Sequence, residues 1–266
     1  MFFTDFRRVF AGALTAAVAL GSLATTSHAA DAPEALYKLE DMTRAFGEMA
    51  MQVNGQRVGQ LARWTGPIYL AIADTPGMEH VAADAEALVR SLAQVARVPV
   101  HRVAADDRRR NFSIMASVRD ASGNIPCVSQ VDWNEQGRLT SVVVRLNLSN
   151  PARLTRCTNH EILHGFGLRA HPDTAFSVLS YRYASQAQLT ETDRVVLETL
   201  YDRRVPGTGP MDTAAHVACQ VIAEKMRITS EGIAAVCGNR PAPPPGGLFA
   251  SLKGGAGNGP QQNIGQ

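Results

Sequence analysis

Three histidines and one glutamate carry the chemistry legible in this chain. They fall in one run, His160-Glu161-Ile162-Leu163-His164-Gly165-Phe166-Gly167-Leu168-Arg169-Ala170-His171. Imidazoles four residues apart project from one face of a helix, the spacing of two ligands on one Zn²⁺. Glu161 lies beside them, placed to take a proton from a water that such a cation acidifies. Gly167 lets the chain turn sharply after the helix, and His171 can then fold back as a third protein ligand. Three protein ligands with a fourth position left open is the pattern of a catalytic zinc site rather than a structural one. The bland alternative gives these histidines purely structural roles. Seven His and eleven Glu produce a chance HExxH in only about one chain in a hundred of this composition. A third His beyond a helix-ending Gly makes coincidence rarer still.

The element that must present these side chains is legible from its ends. Asn150 is a good N-cap and Pro151 fits the first helical position, so a helix is expected over 151–166, stopping at Gly167. Upstream, apolar residues at spacings of three and four predict helices over 34–51 and 79–95. Strands are expected over 68–73, 112–118 and 139–148, with turns at 120–124 and 134–137. Downstream, Thr190 with Asp193 makes a box-like cap for a further helix, and another is expected over 213–226. Strands and helices interleave in the first half and helices dominate the second, which is an α+β pattern.

From His160 to Tyr181 the chain resembles the metzincin branch of zinc metallopeptidases, whose pattern is HExxHxxGxxH followed by a tight turn containing Met. Two departures stand out. His171 comes one residue late, with Ala170 in the ordinary place; this spacing is similar to the archaemetzincin variant, without the cysteines that follow it there. In Ser177-Val178-Leu179-Ser180-Tyr181, Leu179 stands where Met is expected, an apolar substitute for a floor residue. The weaker likeness runs from Leu139 to Asp202, and 189–206 also resembles an uncharacterised family of proteobacterial envelope proteins. The metzincin resemblance implies a zincin fold with a mixed twisted sheet, an active-site helix and a helical C-terminal part. It also implies an antiparallel edge strand above the metal, where an extended peptide adds to the sheet; 140–148 and 112–118 are the two candidates. Tyr181 would be a metal-side phenol that stabilises the oxyanion, with Tyr183 the lesser candidate and a core or rim tyrosine the plain alternative.

The ends of the chain read as processing and tail segments. Arg7 and Arg8, the apolar run 9–23 and Ser27-His28-Ala29 make 1–29 a signal peptide, by the general or the twin-arginine route. The folded domain is then 30–239, and the Pro/Gly-rich 240–266 is expected to be a disordered tail. Export permits disulfides, and of three possible pairings Cys127–Cys157 and Cys219–Cys237 are favoured. A formal charge of +2 and 6% aromatic residues argue against a nucleic-acid partner. His101 and His216 read as ordinary lone histidines, and 106–110 as a solvated charged turn.

The expectation is therefore an exported, periplasmic or secreted, monomeric zinc metallopeptidase that acts on a peptide or protein and keeps no membrane insertion after signal removal. Two readings stand beside it. One is a non-catalytic envelope protein that uses the same scaffold to bind a partner. The other is a zinc hydrolase of a non-protein envelope polymer.

Overall fold

In this computed structural model, residues 33–117, 124, 127–238 and 262–265 are described. Helix α1 (Pro33–Ala50) leads through a short hairpin, β1 (Gln52–Val53) and β2 (Gln56–Arg57), to β3 (Ile68–Ile72), α2 (Glu79–Ala96), β4 (Val100–Arg102) and β5 (Phe112–Ala116). Then come β6 (Val128–Trp133), β7 (Leu139–Leu146), α3 (Pro151–His164), α4 (Glu191–Leu200), α5 (Met211–Lys225), α6 (Ser230–Cys237) and β8 (Gln262–Gly265). The architecture is α+β. One mixed sheet has the strand order β4-β3-β5-β7-β6-β8; β4, β3, β5 and β7 are mutually parallel, and β6 is antiparallel to both β7 and β8.

The strands form where β-branched and aromatic residues alternate or cluster. Leu139, Val142, Val144 and Leu146 of β7 are buried, as are Phe112 and Ile114 of β5 and Ile68, Leu70 and Ile72 of β3. Full burial of each such side chain contributes about 1.5–3 kcal/mol. Helix α3 packs on β6 and β7, and α1, α4, α5 and α6 pack on one another as the helical part. Gly165, at the end of α3, permits close approach to the sheet: a Cβ there would meet the Phe112 ring at 2.8 Å and Val142 at 2.9 Å.

The expected helices and strands are present, within a few residues at their ends. Asn150 holds the N-cap position of α3, but its side chain makes no capping bond. The two strands weighed as the sheet edge are both internal; the antiparallel strand outside β7 is β6. Its run Val128-Ser129-Gln130-Val131-Asp132-Trp133 is half polar, so its pattern is faint, and sheet pairing rather than propensity makes it a strand. Helix α6 is also additional to the sequence reading; Thr229 caps it by accepting from the Gly232 N–H.

The signal-peptide reading of 1–29 lies outside the described residues, as does the 120–124 turn apart from Asn124. Within 240–266 only Gln262–Gly265 are described, and they form β8, where the sequence reading expects no regular structure. An edge strand needs backbone pairing rather than a core of its own, which composition does not report. Among the described residues no helix is long and apolar enough to cross a membrane.

Candidate metal centre

Helix α3 presents His160 and His164 from one face, both 0% exposed. His171, partly buried, returns to them after the turn at Gly167, whose φ is +96°. A Cβ on Gly167 would lie 2.1 Å from the Ala62 carbonyl oxygen, so no side chain fits there. The three Nε2 atoms are 3.0, 3.2 and 3.2 Å apart.

The hydrogen bonds behind the rings assign the tautomers. His160 Nδ1 lies 2.9 Å from the Val178 carbonyl oxygen, and His164 Nδ1 bonds the Leu168 carbonyl. Carbonyl oxygens only accept, so both Nδ1 atoms carry the proton and both Nε2 atoms present lone pairs. Two lone pairs facing each other at 3.2 Å are not a hydrogen bond. A cation between them turns that repulsion into ligation. Tetrahedral ligands at 2.0–2.1 Å sit about 3.3–3.4 Å apart, close to the spacing seen. The donor set therefore fits a divalent metal ion, with carbonyl acceptors behind two of the ligands fixing ring and tautomer.

A second observation agrees. Glu161 is 0% exposed, and among the described residues neither carboxyl oxygen has a hydrogen-bond partner. Burial pushes its pKa up to about 8, opposed by Ser129 of β6, which stands against the carboxyl without completing a hydrogen bond, and by the Arg156 charge. A buried carboxyl with no donor is costly unless it is neutral or faces a cation. Burial also pushes the His160 pKa down to about 3 and the His171 pKa down to about 4, and holds His164 well below its ordinary value. The rings are thus neutral, the form that ligates.

The turn after the motif forms the floor. Ser177, Val178, Leu179 and Ser180 are all 0% exposed. Asp193, one turn into α4, holds this turn in place: its carboxylate accepts from Ser177 Oγ and, at 3.1 Å, from the Val178 N–H. The same carboxylate accepts from the Thr190 N–H at 2.8 Å, completing the capping box. Tyr181 leaves the turn outward. It is 49% exposed and stacks on His171 with ring centroids 4.2 Å apart. Arg156 donates to the Ser180 carbonyl from one turn before His160.

A family pattern described as protein of unknown function (DUF2927) matches residues 39–218. The chain belongs to this family. No curated protein matches the chain. In this DUF2927 member the matched residues run from α1 into α5 and contain the whole histidine cluster.

Disulfides are Cys127–Cys157 and Cys219–Cys237, the favoured pairing. The first ties the residue preceding β6 to α3, three positions before His160. The second ties α5 to the end of α6. His216 binds the Cys237 carbonyl through Nδ1, and His101 stacks on Tyr69, ordinary roles for both. The 106–110 run is an exposed turn in which Arg109 pairs with Asp107. The structure thus brings His160, His164, His171, Glu161 and Tyr181 to one site. It adds Asp193, Ser129 and Arg156. Asp193 was legible only as a helix cap, and nothing in the local pattern marks the other two.

Proposed function

We propose that this DUF2927 member is an exported zinc-dependent peptidase of metzincin-like architecture. The reading rests on one observation: three Nε2 atoms, those of His160 and His164 unprotonated, converge beside a buried carboxyl that has no hydrogen-bond partner among the described residues. Imidazole donors with an open tetrahedral position favour Zn²⁺. His160, His164 and His171 would hold the ion. When bound, it would supply Lewis acidity to water and to the scissile carbonyl, and its positive charge would favour the ionised Glu161.

The chain's own residues do the rest. Glu161 accepts a proton from the attacking water as the water oxygen bonds to the carbonyl carbon. The same carboxyl then gives that proton to the amine nitrogen as the C–N bond breaks. The Tyr181 hydroxyl donates to the oxygen on which negative charge develops. Val178 and Leu168 hold their imidazoles fixed through the cycle. Strand β6, with Ser129 against Glu161, would supply the edge along which an extended peptide pairs once β8 leaves it. Two disulfides fit an oxidising compartment outside the cytosol, in keeping with export.

The test compares zinc content and casein hydrolysis of the wild type and Glu161→Gln. We expect one zinc per chain in both, with hydrolysis reduced at least about 10²-fold in the variant. Well-folded wild type that takes up no metal after zinc addition overturns the reading. Zinc without hydrolysis of any peptide would instead favour a binding protein on the same scaffold.

A further inference from the structure

Strand β6 would be the outermost strand of the sheet if the chain ended at α6; in the structure it does not stand open. Gln262–Gly265 pair with it antiparallel, in the register Val128↔Gly265, Ser129↔Ile264, Gln130↔Asn263 and Val131↔Gln262. Ser129 is the β6 residue that stands against Glu161, and Cys127 at the start of this strand is bonded to α3. The paired stretch therefore includes the β6 residue that stands against Glu161.

We propose that the C-terminal segment Gln262–Gly265 is the resident occupant of the β6 edge and competes with extended peptides for it. For what those peptides are, this rests on the peptidase reading. Three observations support it. The segment is uncharged and free of proline, so each residue can offer both backbone groups to a partner strand. The segment is covalently joined to α6 through the 23 residues between Gly238 and Gln262. At up to about 3.3–3.6 Å per residue, a link of that length can reach at most roughly 80 Å, more than the width of a domain this size. Finally, the family match ends at residue 218, so the segment lies beyond the matched residues.

Such an occupant is weak by design of its length. Four paired residues form a marginal strand. Covalent linkage within one chain holds them at an effective concentration on the order of millimolar, so an intrinsic affinity of about 1 mM keeps the edge occupied half the time. Substrate at higher effective affinity displaces it.

The experiment is amide hydrogen exchange across Val128–Trp133 in three proteins: the full chain, a chain ending at Gly238, and full-length Ile264→Pro, which removes a strand N–H without truncation. Half-time occupancy predicts exchange of the edge-facing amides at least about twofold faster in both altered chains. Adding a synthetic peptide of residues 258–266 at several millimolar to the truncated chain should restore the protection. Unchanged exchange in both altered chains, or no response to the peptide, overturns the proposal. Casein hydrolysis by the same proteins tests the peptidase reading separately. Its absence from all of them would sink that reading and leave the docking result standing.

Discussion

The Asp193 carboxylate accepts the Val178 N–H at 3.1 Å, and the Val178 carbonyl accepts the Nδ1 proton of His160 at 2.9 Å. A helix cap and the orienter of a candidate metal ligand are thus one construction. Replacing Asp193 by Ala removes the cap and leaves the Val178 N–H and Ser177 hydroxyl buried without acceptors. We expect a stability loss of roughly 2–4 kcal/mol and a metal affinity lower by about 10–100-fold. Urea unfolding and competitive metal titration read the two effects; wild-type affinity in the variant would show that the turn does not depend on this anchor.

Metal should stabilise the fold, because the unfolded chain does not assemble the three histidines. Zinc at a thousand times its dissociation constant contributes about 4 kcal/mol. For a domain of this size that is roughly 8–16 °C in Tm. Calorimetry before and after chelation checks it, and His164→Ala should show no zinc-dependent shift.

The metal-free protein should lose stability in mild acid. His160 and His171 have folded pKa values of about 3 and 4, and His164 is also depressed, against about 6.5 unfolded. Below pH 6.5 the unfolded chain therefore binds protons that the folded chain refuses, and stability falls as pH falls towards 4. Glu161, raised to about 8, works the other way between pH 8 and 4.5, where only the folded chain keeps its proton. Three groups against one leave about two protons, or roughly 2–3 kcal/mol per pH unit at the steepest. Urea midpoints between pH 7 and 4.5 measure this slope, and His164→Ala should flatten it.

Gly167→Ala should cost at least about 3 kcal/mol, since a Cβ meets the Ala62 carbonyl oxygen at 2.1 Å and φ is +96°. The turn it strains delivers both the Leu168 carbonyl and His171, so zinc stoichiometry should fall with stability. A variant of normal Tm and full zinc content would contradict the role given to this turn.

Much of the site was legible because its parts are local. His160 and His164 share a helical face by spacing alone, and Gly167 marks the turn by its lack of a side chain. The alternation in 139–148 and the Thr190–Asp193 box likewise encode their own elements. Strand β6 was missed because Ser129, Gln130 and Asp132 dilute its apolar pattern; its pairing with β7 is a non-local property. Ser129 and Arg156 escaped for the same reason, being ordinary residues until folding places them beside Glu161.

By itself the sequence determined the helix with its histidine pair, the returning His171, the cysteine pairing favoured among three, and the α+β class. These follow from short-range geometry, where residue type and spacing fix direction. The tertiary structure alone decided that the three imidazoles meet, with the His160 and His164 lone pairs converging, that the Glu161 carboxyl is buried without a donor among the described residues, and that β6, rather than either strand weighed as the edge, flanks the site. Those are facts about desolvation and about pairing between distant segments, and burial and pairing exist only once the chain has packed.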